Sequence, residues 1–178
     1  MQKIGLIGVG LMGHGIGKNI AAKGWDLRFL HHAGNQPTDD LIDLGAARHD
    51  TAADLAKACD ILILCVTGSP QVEDILIGSG AVLKSLRPGT IVVDCSTAIP
   101  SSTRALATKV RAVGCELVDA AMTRTPKEAE EGRLNLLVGG AGDTIAKVRP
   151  VLESFAENIF VAGGSGSDKD IQIGRAHV

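Results

Sequence analysis

Tyrosine is absent from this chain of 178 residues, and one tryptophan and three phenylalanines are its whole aromatic content. A chain so short of flat rings has no row of platforms on which single-stranded nucleic acid can stack. The net charge of −2 at pH 7 removes the electrostatic case for a nucleic acid or an anionic membrane as partner. No apolar run reaches the ~20 residues that span a bilayer, and no signal-peptide pattern stands at the start. These absences predict a cytoplasmic protein. The four cysteines, at 59, 65, 95 and 115, never form C-x-x-C, so neither a zinc site nor a thioredoxin-like pair is supported, and no metal is expected. Buried reduced thiols are the reading that fits.

Hydrophobic residues make up 45% of the chain and charged residues 21%, the balance of a folded domain. Its length suffices for one sizeable core, which must be built from Leu, Ile, Val and Ala. Glycine is abundant, with 22 in all. Three of them, Gly8, Gly10 and Gly13, follow an N-terminal apolar run in the pattern G-x-G-x-x-G, and a helical segment follows in turn. In a strand–turn–helix the first glycine permits the turn, the second lets backbone approach a pyrophosphate, and the third lets helix and strand pack closely. The free N–H groups and positive dipole end of the helix suit an anion. With Leu11 and Met12 between the glycines, this stretch is the first candidate for dinucleotide binding.

Past the glycines, Ile16, Ile20 and Ala21 continue one helical face to Lys23, and Gly24 suits the helix end. A strand over 25–30 ends in His31-His32-Ala33-Gly34-Asn35. At that place in dinucleotide folds an acid bonds the adenosine ribose and favours NAD, whereas a basic group suits the 2′-phosphate of NADP. No acid stands here. His31 and His32 tilt the reading to NADP and leave NAD open, since both are equally readable as exposed loop histidines.

Segment 39–44 reads as a short helix and 46–48 as a brief strand, and Thr51 with Asp54 opens a helix to about Ala58. The unbroken apolar run 60–66 is the strand of a parallel sheet covered on both faces. Val66 and Thr67 end it, and Ser69 reads as N-cap with Pro70 at the first helical position. Beyond a short helix over 81–86, strands are expected over 90–94, 115–119, 134–138 and 159–161. Helices are expected over 101–113 and 144–155, the latter containing Pro150, and Thr125-Pro126-Lys127-Glu128 reads as a capping box. Alternation of this kind predicts an α/β sheet with parallel connections and a ligand beyond the carboxyl ends of its strands.

Three ordered motifs give the chain a resemblance to the β-hydroxyacid dehydrogenase family, which includes 3-hydroxyisobutyrate dehydrogenase and tartronate semialdehyde reductase. They are Ile7-Gly8-Val9-Gly10-Leu11-Met12-Gly13, then Asp94-Cys95-Ser96-Thr97-Ala98-Ile99-Pro100, then Asp119-Ala120-Ala121-Met122-Thr123-Arg124-Thr125. The resemblance runs to about Gly166. It implies a Rossmann-type, doubly wound, mostly parallel sheet and reversible hydride transfer between a small-molecule hydroxy acid and its carbonyl form, with NAD or NADP. It places Val66, Thr67 and Thr97 along the cofactor, Ser96 in support of its turn, and Ser96, Thr123, Arg124 and Thr125 on the substrate, Thr123 standing where the family has a substrate-binding serine. The family's D-A-P-V-S-G-G has proline where this chain has Ala121 and glycines where it has Arg124 and Thr125. Arg124 suits a bidentate grip on a carboxylate; the alternative is a solvated loop residue.

The family's proton-handling lysine falls by count on Gln172, which cannot act as an acid or base, and Lys169 is a poor substitute. The resemblance also implies an all-helical C-terminal domain, absent from this chain, through which full-length relatives form homo-oligomers. Ile173 to Val178 match one reading frame of a common sequencing adapter. The expected division is therefore 1–163 as the NAD(P)-binding domain, 164–172 as the start of an interdomain helix and 173–178 as a non-native tail. A natural short terminus is the alternative. Three functional readings follow: a cofactor-binding fragment of a dehydrogenase with little turnover, a non-catalytic dinucleotide-binding module, or a relative that reduces imines or oxidises 6-phosphogluconate.

Overall fold

Parallel strands require long crossovers, and here helices supply nearly all of them. The computed structural model describes residues 1–164. The strands are β1 (Lys3–Ile7), β2 (Asp26–Leu30), β3 (Ala47–His49), β4 (Ile61–Leu64), β5 (Ile91–Asp94), β6 (Glu116–Thr123), β7 (Leu134–Gly139) and β8 (Ala156–Gly163). The helices are α1 (Leu11–Ala22), α2 (Asp39–Asp43), α3 (Ala52–Ala58), α4 (Ser69–Ile77), α5 (Pro100–Ala112), α6 (Pro126–Glu130) and α7 (Gly142–Leu152). One sheet holds the strands in the order β3-β2-β1-β4-β5-β6-β7-β8. All neighbours are parallel except β6 and β7. The chain winds outward from β1 to β3, then returns to lay β4 on the other side of β1. That reversal opens a crevice between the two strand ends.

Every residue of β4 is buried, because both faces of the sheet are covered. Ile61 and Ile63 join the core under α1 and α7, whereas Leu62 and Leu64 join the one under α3, α4 and α5. Among the described residues no helix is long and apolar enough to cross a membrane.

Element ends follow local chemistry. At the end of α1 the Gly24 N–H bonds the Ala21 carbonyl and the Trp25 N–H that of Ile20. Thr51 Oγ1 accepts the Asp54 N–H at 3.1 Å. Thr125 and Glu128 form their reciprocal capping box. Ser69 departs from expectation. The N-cap is Gly68, and Ser69 Oγ instead accepts the Ile99 N–H at 2.7 Å, from the loop after β5. Strand β6 runs on to Thr123 because 119–123 pair antiparallel with 135–139. Strand β8 is longer than its apolar centre suggested, since this edge strand is largely exposed and Glu157 and Asn158 show no apolar alternation.

Helix α6 packs on α1 with almost no space between backbones. Asn19 Nδ2 donates to the carbonyls of Ala129 (3.0 Å) and Glu130 (3.1 Å) at the end of α6. A Cβ on Gly15 would lie 2.5 Å from the Ala129 carbonyl carbon and 2.6 Å from the Glu130 nitrogen. Gly15→Ala therefore sets a helix-propensity gain of about 1 kcal/mol against overpacking of about 1–3 kcal/mol. The clash is with backbone, so overpacking wins. Urea unfolding is expected to show a net loss of stability; a gain would mean that α6 moves freely.

Candidate functional site

At the crevice beyond β1, β4 and β5 lies a cleft of about 1040 Å³, at the upper end of the ~300–1,000 Å³ usual for small-molecule sites. The turn from β1 into α1 forms its floor. Gly8 has φ +99°, and a Cβ there would lie 2.1 Å from the Cys65 carbonyl oxygen. A Cβ at Gly13 would lie 1.8 Å from the Gly8 carbonyl oxygen. Both positions are closed to any side chain. Gly10 is different: a Cβ there meets nothing within 4 Å, so its lack of a side chain keeps the cleft wall clear. Helix α1 has no side-chain N-cap and no acid in its first turn. Its positive end faces the cleft uncompensated, as an anion site requires. These residues fit a dinucleotide pyrophosphate.

The far wall is made by the loops after β4 and β5. Ser96, 2% exposed, accepts the Val66 N–H on Oγ at 3.0 Å and donates its own N–H to Asp94 Oδ1 at 2.9 Å. It braces the wall from behind, while Val66, Thr67 and Thr97 line it. Met12, Cys65, Cys95 and Met122 give the same cleft a polarisable sulfur-rich side. Burial, followed by the nearby Asp94 charge, pushes the Cys65 thiol up to about 12, so it is no nucleophile at neutral pH.

The two histidines after β2 part company. The His31 N–H continues the ladder to the His49 carbonyl at 2.7 Å, and the residue stands outside the cleft lining. His32 lines the cleft, and its Nδ1 accepts the Gly34 N–H at 3.0 Å. An accepting Nδ1 requires the proton of the neutral ring to sit on Nε2, so the free edge of His32 is a donor. The loop is tied down by Asn35 Nδ2 on the Leu30 carbonyl (3.0 Å) and the Gln36 N–H on the Val9 carbonyl (2.8 Å).

Thus Gly8, Gly10, Leu11, Met12, Gly13, His32, Val66, Thr67 and Thr97 surround one cleft, whereas His31, Ser96, Thr123, Arg124 and Thr125 do not line it. Arg124, expected on a substrate carboxylate, gives its guanidinium to the Glu157 carboxylate of β8 and to the Arg133 carbonyl. Thr125 is taken up by its capping box. Lys169, Gln172 and the tail 173–178 lie outside the described residues. Sequence reasoning passed over Asn35, Gln71, Cys65, Cys95 and Met122 as cleft residues. Cys95 and Met122 lie within the motifs that begin at Asp94 and Asp119; Gln71, in the first turn of α4, carried no signal.

Comparisons with known proteins agree with this fold. The pattern described as the NAD binding domain of 6-phosphogluconate dehydrogenase matches residues 3–164. The chain is similar to 2-hydroxy-3-oxopropionate reductase of Escherichia coli, 33% identical over 97% of this chain and 58% of that protein. It is also similar to the solved structure of Mycobacterium tuberculosis 3-hydroxyisobutyrate dehydrogenase with L-serine. That match has a TM-score of 0.89 at 26% identity, over 98% of this chain and 59% of the other. The structure of Psf3 in complex with NADP+ and 2-OPP matches with a TM-score of 0.88 at 27% identity, over 97% and 61%. The chain thus spans a little under three-fifths of the length of the curated relative.

Arg124 has φ +86°, in the region that favours glycine. A left-handed conformation costs a residue with a Cβ about 1–2 kcal/mol. Arg124→Ala keeps that cost and loses the tie to Glu157; Arg124→Gly loses the tie and the cost together. The glycine variant is expected to be more stable than the alanine variant by about 1 kcal/mol in urea unfolding. Equal stabilities would show that the backbone relaxes out of this conformation.

Proposed function

The chain belongs to the family of the NAD-binding domain of 6-phosphogluconate dehydrogenase, with β-hydroxyacid dehydrogenases among its relatives, and on that premise we propose that it is the cofactor-binding part of a 3-hydroxyisobutyrate dehydrogenase-type oxidoreductase, with NADP preferred. The reaction is reversible hydride transfer between a small β-hydroxy acid and its carbonyl form. Bound nicotinamide supplies the hydride chemistry. The residues of this chain bind and orient. Residues 1–163 are the nucleotide-binding unit in this reading.

The observation that carries the reading is the cleft floor, where backbone closes Gly8 and Gly13, Gly10 stands open, and an uncapped helix end points at the space between. Gly8 to Gly13 hold the pyrophosphate. Val66, Thr67 and Thr97 line the path toward the nicotinamide, and Ser96 keeps the Val66 N–H engaged so that this wall stays in place. His32 presents its Nε2–H to the 2′-phosphate of NADP, a charge-assisted bond. His31 stands beside it at the mouth, outside the lining.

On the substrate side, Thr123 closes β6 with a hydroxyl, and Thr125 fixes the start of α6 just beyond it. Arg124 holds Glu157 and the Arg133 carbonyl through one terminal nitrogen, and its other guanidinium donors are the ones a substrate carboxylate would meet. The substrates named for two relatives, 2-hydroxy-3-oxopropionate and 3-hydroxyisobutyrate, have such a carboxylate. Gln172 in place of the family lysine favours a second reading, a domain that binds nucleotide without turnover.

Titration calorimetry of this chain with NADP+ and NAD+ tests the proposal. NADP+ is expected to bind more tightly. His32→Ala is expected to cost NADP+ about tenfold, the low end of a hydrogen bond to a charged group, and to leave NAD+ unchanged. Gly10→Val is expected to abolish both, by filling the clear wall. No heat with either nucleotide at millimolar concentration would overturn the assignment.

A further inference from the structure

One residue past Gly13, His14 sits between two carboxylates that come from elsewhere in the chain. Its Nε2 lies 3.0 Å from Asp40 Oδ1 and its Nδ1 lies 2.7 Å from Glu130 Oε1, with the His14 side chain only 15% exposed. A carboxylate can only accept hydrogen bonds. Both ring nitrogens must therefore carry hydrogen for both contacts to be made, which is the imidazolium form. A neutral ring can donate to one partner and turns a lone pair on the other.

The two partners belong to elements next to the loop that carries His32 and to the segment after β6. Asp40 lies on α2, which follows the loop running from His32 to Pro37. Glu130 lies at the end of α6, which follows Thr123-Arg124-Thr125. His14 itself stands in the second turn of α1, behind the glycine turn. A side groove of about 560 Å³ opens over these groups and shares Leu11 with the main cleft. The other charged groups around the ring are Lys18 on α1, Asp39 on α2 and Lys127 on α6. Lys18 Nζ is 3.1 Å from Glu130 Oε2. When His14 is neutral, Glu130 therefore keeps a cation and Asp40 does not. The neutral ring keeps at most one of its two donated bonds, so the tie to α2 falls from a charged pair to one neutral hydrogen bond or none.

We propose that His14, held as an imidazolium between Asp40 and Glu130, is a positioning residue for nucleotide binding: it locks the loop after β2 to the glycine turn, and affinity falls as His14 loses its proton. The proposal rests on the dinucleotide reading of the main cleft. Burial works against the charged ring, but the hydrogen bonds and charges of Glu130 and Asp40 outweigh it, and His14 titrates above its ordinary 6.5. The sign follows from linkage. With the folded value above the unfolded one, the clamp's contribution to stability is complete below about pH 6.5 and is lost as the pH rises through the folded value.

The test uses NADH, which has no 2′-phosphate to titrate, with calorimetry from pH 6 to 9 and NMR of the histidine Cε1–H signals. His14→Gln identifies the His14 signal by its loss. In the unchanged chain the His14 signal is expected to titrate above 6.5, and NADH affinity to fall about fivefold or more through the same range, a usual coupling strength. His14→Gln is expected to bind weakly with a flat profile. His14→Lys, a cation across the whole range, is expected to recover tight binding without the pH step. A His14 signal titrating at or below 6.5, or an NADH profile that His14→Gln leaves unchanged, overturns the clamp and leaves the nucleotide reading standing. Absence of binding of NADH and NADPH alike in every variant at every pH overturns both.

Discussion

The carbonyl oxygen of Gly8 lies 1.8 Å from where residue 13 would carry a side chain, and the carbonyl of Cys65 closes residue 8 in the same way. Three backbone segments thus meet with no side chains between them: the end of β1, the start of α1 and the end of β4. Their closeness is a geometric constraint, and much else depends on it. It sets the helix end at the bottom of the crevice. It fixes how far α1 lies from the sheet, and so how Ile16 and Ile20 reach the core. It leaves room above Gly10 alone, where the charge of a phosphate can meet the helix end without an intervening Cβ.

From that fixed start α1 acts as the common support for elements that are distant in the chain. Gly15 and Asn19 receive α6 at backbone distance, and His14 reaches both α2 and α6. The loop with His32 is tied to the turn again through the Gln36 N–H on the Val9 carbonyl. The loop with His32 and the short helix after β6 are therefore both referenced to one helix. The energetics divide accordingly. Apolar burial on the two faces of the sheet holds the domain together, as two separate clusters of aliphatic side chains. Polar contacts around α1 contribute modestly to stability in exposed pairs, and their larger effect is to hold loops in register with the turn.

The substrate loop shows how a local rule can be broken by a distant contact. Arg124 adopts φ +86°, a conformation that sterics disfavour for any residue with a Cβ. Its guanidinium is held by Glu157, 33 residues later. The strand that supplies Glu157 is an edge strand with a weak apolar pattern, which is why its extent was not visible along the chain. Arg124 thus reads as a ligand group when only its neighbours in sequence are considered, and as a bound group once β8 is in place.

Much of the fold is legible in the order of residues because its signals are local. Runs such as 60–66 must be covered on both faces, Thr51 and Thr125 cap the helices they precede, and G-x-G-x-x-G lies within six consecutive positions. The motifs around Asp94 and Asp119 carry the family in the same way. Distinctions that hang on contacts between remote segments are not local. His31 and His32 are adjacent and chemically identical, and only the pairing of β2 with β3 sends one into a ladder and the other into the cleft. Ser69 has the sequence of an N-cap, yet the loop after β5 takes its hydroxyl. His14 has partners 26 and 116 residues away, so its charge state is a property of three helices meeting. Chain order thus decides which elements form and where a phosphate can approach the backbone, since backbone sterics and apolar burial act over a few residues. The assembled sheet decides which polar groups face the cleft, because a hydrogen-bond partner is chosen by distance in space.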